Sequence, residues 1–179
     1  MKKLLLLALC LLLLACKEDD PISRRYPCRF FFYHEPHSTS LIFSAYNAPG
    51  MYVYVYTTVE TNGRRHVWAQ SNDGKMPTED NVISTDIELR APYMLGARND
   101  LGLILGRTIF SGPTAYDRVC PNCEGLTPLH WTGNRQQVEC PRCKRTYDLE
   151  TGVILSGDRG DALLRYGINF DGNRLSVGN

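Results

Sequence analysis

Two short stretches constrain this chain more than any other: Val119-Cys120-Pro121-Asn122-Cys123 and Glu139-Cys140-Pro141-Arg142-Cys143. Each contains a C-P-x-C turn, and sixteen residues separate Cys123 from Cys140. A C-x-x-C turn brings two sulfurs to one point, and proline at its second position fixes φ. Together Cys120, Cys123, Cys140 and Cys143 offer four soft thiolates, the tetrahedral set for zinc or a single iron and a poor one for magnesium or calcium. The C-x2-C-x16-C-x2-C spacing lies inside the window of zinc sites. The alternative is disulfides: reactive redox pairs within each knuckle, or staples between the two. Two near-identical C-P-x-C turns joined by one short segment favour metal. Many ribbon knuckles place glycine after the second cysteine, whereas here Glu124 and Lys144 follow.

The N-terminus sharpens that choice. Lys2 and Lys3 precede an apolar run at 4–15. The run is too short for a ~30 Å hydrocarbon core, which needs ~20 residues, and reads as a secretory signal peptide over 1–15. The sequence Leu13-Leu14-Ala15-Cys16 resembles the lipobox of bacterial lipoproteins. That resemblance implies cleavage before Cys16, acylation of Cys16 (palmitate included) and an extracytoplasmic chain anchored in a membrane, with the outer membrane as the expected one. Each buried CH₂ of such an anchor adds ~0.8 kcal/mol. The next residues, Lys17-Glu18-Asp19-Asp20, resemble the surface-export signal of Bacteroidetes lipoproteins and read equally well as a solvated tether over 16–25. Export leads to an oxidising compartment, where thiols commonly end as disulfides.

Removing fifteen of the 179 residues leaves 164 and takes away Lys2 and Lys3, so the formal charge falls from +1 to −1. That balance, with no basic cluster longer than pairs such as Arg64-Arg65 and Lys144-Arg145, argues against a nucleic-acid partner, which requires a basic patch. After Cys16 and the knuckles, one cysteine is left over. Cys28 lies against the strand-like run Arg29-Phe30-Phe31-Phe32-Tyr33, so a buried, inert thiol is expected.

The body at 26–179 shows no sustained helical periodicity, and β-rich segments recur between turn signals. Strands are expected at 29–33, 41–46, 51–59, 66–70, 82–89 and 101–110, the last broken by glycines and read as a bulged core strand or a strand pair. Residues 73–81 read as a polar loop. The tail at 163–177 reads as a hairpin turning at Asp171-Gly172. In 51–59, Tyr52, Tyr54 and Tyr56 share one face and Met51, Val53 and Val55 the other. The tyrosines read as one layer of a sandwich rather than a ligand platform. The pair His34 and His37 reads as a solvated turn. His66 has no partner in sequence, and His130 is the only histidine near the knuckles. No phosphate-binding glycine loop, G-x-S-x-G elbow or paired-carboxylate signature is present, so no catalysis is expected of the chain itself.

Five segments, taken in order, resemble the Rieske ferredoxin-type domain: Gly102-Leu103-Ile104-Leu105-Gly106-Arg107-Thr108, then Ala115-Tyr116-Asp117-Arg118-Val119-Cys120-Pro121, then 138–143, then Thr146-Tyr147-Asp148-Leu149-Glu150-Thr151-Gly152, and the 163–177 hairpin. The likeness spans roughly 26–177 and is specific over 115–152. It implies an all-β fold, a Rieske-like antiparallel sandwich or barrel carrying a small rubredoxin-like two-knuckle metal subdomain over 116–151. Rieske loops supply two cysteines and two histidines. Here Cys120 and Cys140 match the cysteines, Asn122 stands where the first histidine would be with Cys123 beside it, and Cys143 replaces the second. The expectation is therefore a structural zinc on four cysteines. The alternative is an electron-transfer protein with a [2Fe–2S] cluster or a rubredoxin-like iron, served by a redox partner.

Overall fold

The computed structural model describes residues 22–179. The expected signal peptide, the expected lipidation site Cys16 and the acidic run 17–20 lie outside the described residues. Ser23 and Arg25, expected in the tether, bond to the body: the Ser23 N–H donates to the Arg165 carbonyl (2.7 Å) and the Arg25 guanidinium to the Pro121 carbonyl (2.7 Å).

The fold is all-β apart from two short helices. In chain order the elements are β1 (Cys28–Tyr33), α1 (Leu41–Asn47), β2 (Tyr52–Val59), β3 (Arg65–Ser71), β4 (Glu79–Val82), α2 (Asp86–Arg90), β5 (Met94–Leu95), β6 (Leu103–Arg107), β7 (Pro113–Asp117), β8 (His130–Trp131), β9 (Gln137–Glu139), β10 (Thr146–Asp148), β11 (Ile154–Ser156), β12 (Arg165–Phe170) and β13 (Arg174–Gly178). They form two antiparallel sheets. The large one runs β4-β3-β2-β6-β7-β12-β13-β1-β5 and the small one β11-β10-β9-β8. The small sheet and both knuckles are inserted between β7 and β12, which are themselves neighbours in the large sheet. Two backbone bonds close the neck of the insertion: Asp117 N–H to the Leu164 carbonyl and Leu163 N–H to the Gly152 carbonyl, both 2.8 Å.

Period-2 alternation gives the central strands two buried faces. Val53 and Val55 enter one core with Phe30, Phe32, Leu103, Leu105, Val177 and the α1 residues Ile42, Phe43 and Ala45. Tyr52 and Tyr54 enter a second core with Ile104, Tyr116, Leu129, Val138, Tyr147 and Leu149. The large sheet is thus a shared wall, with the main core behind it and the knuckle module in front. Tyr52 and Tyr54 form the expected sandwich layer, while Tyr56 is half-buried and stacks on Trp68 outside it.

Four local expectations are corrected. Residues 41–46 are helical, not extended. Ser40 caps α1 by accepting from Ile42 N–H, and Glu79 accepts the Leu41 N–H (2.6 Å). A seven-residue apolar helix leaves too little periodicity to be told from a strand, and contacts with β2, β3, β6 and β7 decide it. Residues 82–89 are not one strand: β4 ends at Val82 and α2 starts at Asp86. The end of the presumed polar loop, Glu79 to Asn81, is instead part of β4 and pairs with β3. Glycines in 101–110 mark close approach rather than a bulge. A Cβ on Gly102 would lie 1.9 Å from the Val55 carbonyl oxygen, and one on Gly106 would lie 2.4 Å from that of Met51.

Candidate metal centre

β7 delivers the first knuckle and β9 the second. At the exit of β7, buried Asp117 accepts the Val119 N–H on Oδ1 (3.0 Å), and the Ala97 N–H and Tyr166 hydroxyl on Oδ2 (both 2.8 Å). The carboxylate fixes the direction in which the chain enters Cys120. Cys120 then donates its N–H to the Thr127 carbonyl (2.8 Å), and Cys140 donates to the Arg145 carbonyl (2.9 Å). Each knuckle needs a left-handed residue to turn back. Lys144 supplies it directly after Cys143 at φ 60°; after Cys123 it falls one place later, on Gly125 (φ 82°) and Leu126 (φ 52°). The absence of glycine after the second cysteine therefore does not prevent either turn.

The four sulfurs converge. All lie within 4.8 Å of one another. Cys120 Sγ is 3.7 Å from Cys143 Sγ, and Cys123 Sγ is 3.6 Å from Cys140 Sγ. A tetrahedron with ~2.3 Å metal–sulfur bonds has sulfur–sulfur edges of about 3.8 Å, so this set fits one soft ion. All four cysteines are free thiols. Cys120 and Cys140 are buried, while Cys123 and Cys143 are half-exposed.

Electrostatics at the site pull in opposite directions. Burial raises the Cys120 thiol, partly offset by hydrogen bonds from the Tyr147 hydroxyl (3.3 Å) and the Asn122 N–H. Burial and the crowd of neighbouring sulfurs push Cys123 up to about 12. At Cys143 burial also opposes the thiolate, but hydrogen bonds from the backbone and side chain of Arg145 outweigh it and bring the thiol down to about 6. Four thiols this close cannot all ionise unaided, and a cation in their midst takes the place of the protons.

Around the knuckles the structure gives side chains contacts that the sequence did not reveal. Asn122 donates to the Tyr147 hydroxyl (3.0 Å) and to the Asp161 carbonyl (2.7 Å), and accepts the Asp161 N–H (2.8 Å). Arg145 Nε donates to the Asp158 carbonyl (2.9 Å). The two side chains clamp segment 157–162 against the centre. In the Asp148-x-x-Thr151-Gly152 turn, Asp148 Oδ2 accepts the Thr151 N–H (3.1 Å) and hydroxyl (2.7 Å). The carbonyl of Leu149, inside that turn, accepts the hydroxyls of Tyr52 (3.2 Å) and Tyr116 (3.3 Å) from the large sheet. Tyr54 stacks on Trp131 of β8 at 3.8 Å and 5°, with the Arg118 guanidinium 3.9 Å from the Tyr54 ring centroid.

The remaining sequence candidates stay outside this cluster. Cys28 is buried, bonds weakly to the Val177 carbonyl (3.8 Å), and is pushed up to about 12 by burial. His130 is exposed on β8 and is not among the converging ligands. The His34–His37 turn is less solvated than expected: His37 stacks on Phe32 (4.7 Å) and His34 packs on Phe43 (4.9 Å). His66 gains the partners its sequence neighbourhood did not reveal, Asp80 (2.8 Å) and Glu60 (3.1 Å). No protein-family model and no curated protein matches the chain.

Proposed function

We propose that this chain is a lipid-anchored, extracytoplasmic protein of Rieske-like architecture. In this reading Cys120, Cys123, Cys140 and Cys143 hold a single structural zinc, and the chain catalyses nothing itself. The carrying observation is the tight set of four sulfurs, with contacts of 3.6 and 3.7 Å at the edge length of a tetrahedral thiolate site. A binuclear [2Fe–2S] cluster interposes two irons and their bridging sulfides between its thiolate pairs, and so spreads four sulfurs wider than one ion does. The compact set favours one ion. When bound, the metal supplies a divalent charge and four bonds that fasten the two knuckles. The chain's residues position the sulfurs: Asp117 directs the first knuckle, the Lys144 turn the second, and Tyr147 steadies Cys120.

The second reading is electron transfer through a rubredoxin-like iron in the same four-sulfur site. It is favoured by the half-exposed Cys123 and Cys143, which give the centre an outlet to a redox partner. Elemental analysis and a visible spectrum of anaerobically purified protein separate the readings. Stoichiometric zinc in a colourless sample is the expected result. Stoichiometric iron with strong visible absorbance would replace zinc by the electron-transfer reading, and a metal-free sample would remove both.

A further inference from the structure

All four sulfurs lie within 4.8 Å of one another, and two close contacts run between the knuckles. Cys143 faces Cys120 at 3.7 Å, and Cys123 faces Cys140 at 3.6 Å. Each contact joins one half-exposed sulfur to one buried sulfur, and the two pairs share no member. A disulfide bond is ~2.05 Å long, so each pair must close by only ~1.6 Å. Cys28, another buried thiol, bonds to the Val177 carbonyl and the Gly96 backbone and, among the described residues, is not part of the four-sulfur group.

We propose that Cys123 and Cys143 are an oxidation site for peroxides, and that oxidation converts the four-thiolate centre into two disulfides crossing between the knuckles, Cys120–Cys143 and Cys123–Cys140. The half-exposed Cys143 thiolate attacks the peroxide O–O bond, taking one oxygen as a sulfenic acid and releasing hydroxide. The Cys120 thiolate then attacks the sulfenic sulfur, forms the S–S bond and expels a second hydroxide. The same two steps join Cys123 to Cys140. Two peroxide molecules take up the four electrons given by four thiolates, the hydroxides are protonated to water, and a divalent ion that has lost its ligands leaves. Metal and disulfides thus tie the same two loops, so the module stays fastened when an oxidising compartment strips the ion. The idea rests on the metal-holding reading above and adds the fate of that site under oxidant.

The test treats the anaerobically purified, metal-loaded full chain with hydrogen peroxide. Released metal is followed with a chromophoric chelator, free thiols are counted, and disulfides are located by fragmenting the linked peptides. The expected result is loss of four thiols, release of the ion in step with them, a map with Cys120–Cys143 and Cys123–Cys140, and Cys28 still reduced. C123S should still form Cys120–Cys143 and leave Cys140 reduced. Bonds within a knuckle, sulfinic acids without bonds, or full retention of metal and thiols at excess peroxide would overturn the proposal. A protein that carries no metal when purified would sink the structural-zinc reading, while the disulfide map of its reduced form still decides the pairing.

Discussion

At the residue scale, single polar atoms decide how the knuckle module sits. The Leu149 carbonyl is one acceptor serving two phenols from different strands, Tyr52 and Tyr116. Removing one hydroxyl leaves the carbonyl satisfied by the other, so Y52F should cost about 0.5–1.5 kcal/mol of stability, the net worth of a buried hydrogen bond, as read by chemical denaturation. Asp117 behaves differently. Burial outweighs its three donors and raises its carboxyl above the ordinary carboxylate range. The folded state therefore holds this proton to higher pH than the unfolded chain does. Its contribution to stability is complete below the unfolded value and is lost as pH rises through the folded one. D117N carries no such proton, so its stability should fall less than wild type's between the ordinary carboxylate value and neutrality. Parallel denaturation series across that window read the difference in slope.

At the element scale, short pieces of structure exist because of what they touch. The five-residue α2 is held by Thr85, whose side chain accepts the Glu88 N–H (3.3 Å) while its hydroxyl donates to Glu88 Oε2 (2.6 Å). Thr85-x-x-Glu88 has the sequence of a capping box, although Glu88 accepts the Thr85 hydroxyl rather than its N–H; it is a start signal written in the sequence inside a segment whose apolar residues read as a strand. T85A should cost about 1 kcal/mol and lower the thermal midpoint without changing metal content. α1 carries no comparable signal beyond Ser40, because its second anchor, Glu79, lies far along the chain. The β-hairpin at the C-terminus, by contrast, was legible from its turn: Asp171 accepts the N–H groups of Asn173 and Arg174, and β12 and β13 pair on either side.

At the scale of the whole molecule, two cores share one sheet, and only the core in front of it contains the candidate metal ligands Cys120 and Cys140. Removing the ion should therefore loosen one side of the molecule first. Hydrogen exchange of chelator-treated protein is expected to show lost protection through 118–163, while β1, β2, β3 and β6 keep theirs. Uniform loss across both sheets would mean that the front core is needed for the back one. The proposed anchor is tested separately: labelled palmitate should be incorporated by the native chain and not by C16S, and C16S should leave the membrane fraction.

The sequence by itself determined the β-rich class, the alternating faces of β2, and the four ligand candidates. These follow from local rules: a two-residue period, turn chemistry, and cysteine spacing that limits where sulfurs can go. Only the tertiary structure decided that the sulfurs of different knuckles are in contact, that Asn122 and Arg145 clamp a distant segment, that His66 lies between two carboxylates, and that the tyrosine face of the sheet receives the knuckle module. Each of those facts joins residues brought together by long-range strand pairing. Side-chain periodicity says which face a residue occupies, and only the packed chain says what stands opposite.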